Sequence, residues 1–573
     1  MPLSPIENVG TGGIVSDLKP YQLQPNEWSK GNNVAFNNAQ VHKIHGYGEV
    51  MKDCPIEPWH LATYQAHNAE GQGDEEKFYW FVFGKEQIYC YWMGAWYNST
   101  RLGDGEEDLL YRTDEGSDWD VTQSGALLIA TNSVDIPQIW ELDEYNNPKA
   151  GNRFKNMESW VDENTPEETD LTCRTVEGFK NHIVVTGIDR ISTLPDDEGE
   201  TENNLNRIVK WSTQHSHYQE PNSWNVIDKT KDAGEYELLD TQGPIIDTLP
   251  MGEVFMIYKT DSVYMMNYVG TPWMFSFKTL DPQIGIIAKG AATEFPGGHF
   301  FISHADCYIN NGQTVTPLLT GKVRAEMFNN ISGPNFQRIF AITNTAYGEV
   351  WACFPTANSE YCDRAMVWNY NENTFSFRDL PNVTDIKHGL QKVNRELYGD
   401  GSYFIAWEAI HIPWSAATEM HWGAISYANI IANLVMCEPK GVRDSTDDLG
   451  KIYRDRIGQL ADGRVMHSFV ERTGIDMGDP SSVKHLRAIW PKIWTATNAK
   501  IDVYTGSQMG TDESVAWNGP YRFYPDKQSK ISTRTTGKLL AIRFETTEDT
   551  TWSISGIELE LESSGSRGSR SHA

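Results

Sequence analysis

The chain has 573 residues, with 78 Asp and Glu against 48 Lys and Arg, for a formal net charge of −30. Proteins that grip nucleic acid through its phosphates cluster Lys and Arg, so this balance argues against a DNA-binding enzyme or repressor. It suits either plain solubility or a wall past which DNA moves without adhering, because acidic side chains repel phosphate.

Residues 1–55 are a Gly- and Asn-rich lead-in. Its start, MPLSPIENVGTGG, has neither the charged nor the apolar region of a secretory signal, so none is expected. Pro20 and Pro25 argue against a long helix. VAFNN and QVHKIHG read as a hairpin around Asn37 and Asn38, a residue type that tolerates turn dihedrals. GTGG, Gly10 to Gly13, lacks the Lys-Ser/Thr and the strand-to-helix setting of a phosphate loop, and reads as a flexible arm.

From about 56 to 435 one unit recurs six or seven times: an apolar strand, a polar turn, a second apolar strand. The pairs are FYWFVF (78–83) with QIYCYW (87–92), ALLIATN (126–132) with PQIWEL (137–142), and HIVVTG (182–187) with RIVKWS (207–212). EVFMIY (253–258) pairs with SVYMMNY (262–268), HFFIS (299–303) with CYIN (307–310), and EVWACF (349–354) with AMVWNY (365–370). A fainter seventh is ELYGDGSYFIAW (396–407). Units start about 45 to 70 residues apart, the spacing of propeller blades or a little longer. The 20 Trp and 25 Tyr fit cores of stacked small sheets. Insertions at 103–120, 157–170 and 196–204 are acidic surface loops.

WGAISYANIIANLVM (422–436) reads as a helix or a pair of strands; 442–460 has room for a short amphipathic helix with Ile452, Ile457 and Leu460 near one face. From about 465 the pattern alternates with period two, ending in IELELE, which sets Ile557, Leu559 and Leu561 opposite Glu558, Glu560 and Glu562. No stretch nears the roughly 20 apolar residues of a membrane span. The expected fold is all-β: an N-terminal arm and hairpin at 1–55, a β-propeller-like array of small antiparallel sheets at 56–435, a connector at 436–464, a C-terminal β-sandwich-like domain at 465–563 and a disordered tail at 564–573.

Candidate chemistry is sparse. The 7 Cys form no CxxC, and five lie in or beside apolar runs, so buried free thiols in a reducing compartment are expected. His42 with His45, His215 with His217, and His299 with His304 and Asp306 are close in sequence, but none has the Cys pair or HExxH helix of a zinc site. The acidic loops Asp104 to Asp108 and Asp444 to Gly450 lack EF-hand spacing. TDEGSDWD resembles one Asp box of the sialidase-like propellers: Asp114, Gly116 and Trp119 match, whereas Arg112 and Asp118 depart from the pattern. A glycan-binding or glycoside-cleaving receptor-recognition propeller is therefore the alternative reading, although no acid/base carboxylate arrangement can be assigned. There is no GxSxG elbow. No catalytic, cofactor-binding or metal residue is assigned, no cofactor is called for, and no enzyme is expected.

Several segments together carry a family likeness: GGIVSDLKPYQLQPNEWSKGNNVAF (12–36), QVHKIHGYGEV (40–50), WDVTQSGALLIATNSVDIPQIW (119–140), the stretch from WSTQHSHYQEP to MMNYVG (211–270), the stretch from IGIIAKG to TVTPL (284–318), and IELELE. The chain resembles, to about residue 565, the tail hub or nozzle proteins of short-tailed, podovirus-like bacteriophages, also called tail stabilisation or tail accessory proteins. The resemblance implies a structural virion protein that combines a β-propeller with a sandwich-like platform. It implies a homohexameric ring beneath the head-to-tail adaptor and, through it, the portal, with tail fibres or spikes attached around it. Genomic DNA would cross the ring's lumen during ejection without specific binding. The location implied is the virion tail, assembled in the host cytoplasm, and the family supplies no catalytic residue to carry over.

Overall fold

In the computed structural model of the protein, each of the six apolar strand pairs forms the middle two strands of a four-stranded antiparallel sheet. The structure describes residues 3–66, 78–103, 105, 107–113, 119–142, 149–160, 171–190, 205–392, 430–440, 449–495 and 499–564. The sheets act as blades. Blade 1 is His60–Gln65, Phe78–Phe83, Ile88–Trp92 and Ala95–Asn98; blade 2 is Asp120–Ser124, Leu127–Thr131, Gln138–Trp140 and Phe154–Asn156. Blade 3 is Thr175–Phe179, His182–Thr186, Ile208–Trp211 and Gly234–Glu237; blade 4 is Ile245–Met251, Val254–Lys259, Val263–Tyr268 and Phe275–Asp281. Blade 5 is Ala292–Phe295, Gly298–Ile302, Cys307–Asn310 and Val315–Pro317; blade 6 is Phe340–Asn344, Glu349–Phe354, Cys362–Asn369 and Thr374–Val383.

The second strand of each blade lies between sheets on both faces, which is why it reads as an unbroken apolar run. Leu127–Thr131, His182–Thr186 and Glu349–Phe354 are buried at every position. The fold class is as expected: an all-β, propeller-like array of small sheets whose inner strands neighbour one another in chain order.

Blade 7 departs from the expected unit. It is built from Asp385–Lys392, Ile430–Pro439 and Gly450–Asp455, and its fourth strand is Tyr47–Val50 from the lead-in. Val50 pairs with Ile452 and Tyr47 with Asp455. The array is thus closed by a strand some 400 residues earlier in the chain. The fainter unit at 396–407 lies outside the described residues. Of the stretch 442–460, where a short helix has room, 442–448 lie outside the described residues and 449–460 form no helix: strand partners on both sides of Gly450–Asp455 override the local helical spacing, and the described part of the presumed connector belongs to the propeller. Residues 430–436, likewise, are strand. Gly46 permits the closing strand to enter, because a side chain there would meet the Leu460 carbonyl oxygen at 1.9 Å.

The lead-in is not a flexible arm. One sheet of the sandwich contains Val483–Thr495, Ile531–Gly537 and Trp552–Ser564 together with Leu3–Glu7, Val34–Asn37 and Gln40–Lys43. The other contains Ser468–Ile475, Ile501–Gln508, Ala516–Phe523 and Leu539–Thr546 together with Lys30–Asn32. The hairpin at Asn37 and Asn38 forms, with Asn38 and Ala39 at positive φ. Ile557 and Leu559 face the core and the alternate Glu side chains face away, as the period-two pattern requires. Gly13 sits at φ +65° with its Cα side against the Phe375 backbone, where a Cβ would meet that nitrogen at 2.8 Å. Both chain ends therefore build one sandwich, and the propeller is inserted between them.

The sandwich is bolted to blade 6. Asn33, fully buried at φ +54°, donates its backbone N–H to the Phe377 carbonyl. Its amide donates to Asp379 (2.6 Å) and to the His467 carbonyl (2.8 Å), while its side-chain oxygen accepts the Asp379 N–H (2.9 Å). A single apolar core runs from Val470, Phe544 and Leu559 through Ile14, Trp28 and Phe36 to Phe375 and Trp368 of blade 6. Blade 6 meets blade 7 across a buried ion pair, Arg378 to Asp455 (2.8 Å), with the guanidinium 3.9 Å over the Trp351 ring. Removing one partner strands a buried charge, which costs about 3–5 kcal/mol. Asp455→Ala is accordingly expected to lower the calorimetric melting temperature far more than Lys492→Ala, which breaks an exposed pair with Glu558. Equal melting shifts would remove the closure from its central place.

Candidate functional site: the axial cavity of the propeller

The inner strand of each blade has only one in-sheet neighbour, so its axial side presents backbone donors that need other partners. The chain meets this with polar side chains at the mouth where the inner strands begin. Asp120 accepts the Val176 N–H of blade 3 (2.7 Å). Asp247 accepts the Gly290 N–H leading into blade 5 (3.0 Å). Asp385 accepts the Leu61 N–H of blade 1 (3.0 Å) and contacts His60 Nδ1 (3.0 Å), joining blade 7 to blade 1. At the other end of the inner strands, the Gln65 backbone N–H donates to the Gln123 side chain (3.0 Å) and the Gln123 amide donates to the Gln65 carbonyl (2.8 Å), joining blades 1 and 2. Thr175 with Thr248 (3.1 Å) and Thr293 with Thr343 (3.1 Å) link blades 3–4 and 5–6. The junction of blades 6 and 7 is apolar near the axis, through Phe340, Val383, Ile386 and Leu434.

These strands enclose a cavity of about 280 Å³ that every blade helps to line. That is the lower end of small-molecule pockets and far too small to pass a duplex. Its wall mixes Asp120, Glu177, Asp247, Glu294 and Asp385 with Lys85, Lys289, Arg338 and Lys387. Burial, then the charge of Asp120, pushes Glu177 up to about 8. The same two causes push Asp247 up to about 7 against the pull of Lys289. Burial works against ionisation of Asp385 as well, but Lys387, His60 and the Leu61 N–H together hold it well below the usual carboxylate range. Chemically, this mouth raises two carboxyls towards neutrality while it favours the ionised form of a third.

The residues singled out in the sequence are not gathered here. His42 bonds the Asn37 carbonyl (3.2 Å) and His45 bonds Gln459 (2.9 Å). His215 lies between Ser124 (2.9 Å) and the Ser216 carbonyl (2.8 Å), and His217 rests edge-on against Tyr218. His299 is a core residue: its Nδ1 pairs with the Tyr258 hydroxyl (2.9 Å), its Nε2 with the Pro250 carbonyl (3.1 Å), and burial lowers it to about 4. Asp306 fastens a turn by accepting from Cys307 and Leu319 N–H and the Thr320 hydroxyl, and His304 is exposed nearby. Among the described residues no three His, Cys, Asp or Glu group as a metal site would. Asp108 pairs with Arg153 (2.8 Å), whereas Asp104 and 444–448 lie outside the described residues. So do Asp114, Gly116 and Asp118. Trp119 is buried, donates to the Gly84 carbonyl (2.9 Å) and packs on Phe83 and Tyr111, so it offers no face to a sugar. All seven cysteines are free thiols and six are buried; burial pushes Cys54 and Cys173 up to about 12.

The latching aspartates were missed. They sit in DVTQSG (120–125), DTLPMG (247–252) and DIKHG (385–389), at or within two residues of the start of an inner strand. An Asp at the opening of a polar strand, with Gly four or five residues on, is the signal that these three share.

Glu177 and Asp247 bind more protons folded than unfolded, because their folded values exceed the ordinary 4.5 and 3.8. Their contribution is fully present at low pH and is lost as pH rises towards about 8, with a slope of at most about 1.4 kcal/mol per pH unit for each. Urea midpoints measured from pH 5 to 9 should fall less steeply in Glu177→Gln than in the wild type; parallel curves would contradict this placement of the proton. A scan of protein-family models finds none that matches the chain, and a search of curated proteins returns no match.

Proposed function

We propose that the protein is a structural tail hub, or nozzle, of a short-tailed bacteriophage, and not an enzyme. Copies form a closed ring, a homohexamer by resemblance, that docks beneath the head-to-tail adaptor and portal, bears fibres or spikes, and lets the genome leave through its lumen. It functions in the virion tail after assembly in the host cytoplasm.

The observation that carries this reading is a pair of unlike apolar surfaces on different blades. A cyclic ring needs two different complementary patches on every subunit. At blades 3 and 4, Tyr236 stacks on Phe277 with centroids 4.4 Å apart. Beside it the turn before Phe275–Asp281 exposes Val269 (54%) and Trp273 (77%). After the outer strand of blade 1, Leu102, Leu109 and Leu110 are each about 45% exposed. Large exposed aromatic and aliphatic groups in such clusters mark association surfaces. The small axial cavity supports the same reading from another side: DNA has no route through one propeller, so its route lies between copies. The net charge of −30 suits a lumen that does not hold phosphate, with acidic side chains toward the ring axis.

Sedimentation velocity of the purified chain with its adaptor should give a closed oligomer. Trp273→Ser and Leu109→Asp should each shift it to monomer without changing the melting temperature. A wild-type chain that stays monomeric with adaptor present would overturn the proposal.

A further inference from the structure

One corner of the axial mouth holds donors that the interblade latches leave unused. Trp59, His60, Lys85 and Arg338 line the cavity where blades 1, 6 and 7 meet. Three buried nitrogens there have no hydrogen-bond partner: Trp59 Nε1, His60 Nε2 and Arg338 Nη1. Buried polar atoms are nearly always paired, so three in one corner point to a missing ligand. Each of these side chains is fixed by other contacts. Arg338 donates from Nη2 to Glu360 (3.1 Å) and lies 4.5 Å over the Tyr361 ring. Trp59 meets Tyr361 edge-on at 5.9 Å, and His60 is held at Nδ1 by Asp385. The Lys85 ammonium stands 4.3 Å from the Trp59 ring and has no ion-pair partner among the described residues.

We propose that this corner binds a small oxyanion, a phosphate or a carboxylate. The indole, guanidinium and ammonium groups are donors only, so the ligand must accept. Two cations at one corner of so acidic a chain, one of them without an ion pair among the described residues, match an anion better than a neutral acceptor. Two of the nearby carboxylates are already engaged: Asp385 by His60 and the Leu61 N–H, Glu360 by Arg338. A planar guanidinium suits two oxygens of one anion. The cavity has room for such an ion with water around it. The site belongs to the single chain and stands apart from any ring.

Calorimetric titration of the full chain with inorganic phosphate, and separately with acetate, at constant ionic strength in chloride tests this. Saturable binding is expected, about tenfold weaker in both Trp59→Phe and Lys85→Gln, since a hydrogen bond to a charged group is worth about that much. Trp59→Phe keeps the ring but loses an N–H that is unpartnered in the free protein, so its ligand-free melting temperature should stay at the wild-type value. Binding of phosphate alone assigns the site to tetrahedral anions, and binding of acetate extends it to carboxylates. No saturable heat with either anion, or wild-type affinity in both variants, overturns the proposal.

Discussion

Everything in this molecule depends on closing a ring of sheets with a strand from the far end of the chain. Tyr47–Val50 must find Gly450–Asp455 before blade 7 is complete. The buried Arg378–Asp455 pair then ties that blade to its predecessor, and Asp385 ties it to its successor. A pairing of such sequence separation carries a large loop-closure entropy, which only the completed set of blade contacts offsets. The sandwich reinforces it, because the same lead-in that closes the propeller also supplies strands to both sandwich sheets. Closure and anchoring are one event.

The axis follows from that geometry. Seven inner strands converge, and their outward-facing backbone groups cannot be left bare. Asp and Gln side chains satisfy several of them, and Thr pairs add links between blades, at the expense of ionisation at Glu177 and Asp247. Low dielectric makes such a network rigid when complete. A rigid, narrow axis is what a scaffold requires.

The amino-acid sequence revealed the repeat because the second strand of each blade is buried on both faces and the third is apolar enough to pair with it in the pattern. Inner strands such as DVTQS and outer strands such as AWYN face a polar axis or solvent, so their composition resembles that of loops. The period-two strands of the sandwich were legible for the same reason that their N-terminal partners were not: IELELE has one clean face, whereas KGN and LSPIE are short, polar or proline-bearing and gain strand structure only from neighbours. The closing strand YGEV carries no local mark of its distant partner. At the site, the latching aspartates looked like any acidic turn, and the histidines that drew the eye proved to be core and turn residues. Chemistry-bearing residue types identify a site only when the fold brings them together.

A closed propeller with a narrow axis, joined firmly to a sandwich and carrying unlike apolar patches on separate blades, is suited to being one wall segment of a larger ring. Electron cryomicroscopy of the chain assembled with its adaptor tests that claim most directly. The account predicts a ring whose copies meet through the blade 3–4 patch of one and a different patch of the next, around an open axis wide enough for a duplex. A particle in which each propeller axis is itself the symmetry axis, or in which the Trp273 patch faces solvent in every copy, would contradict it.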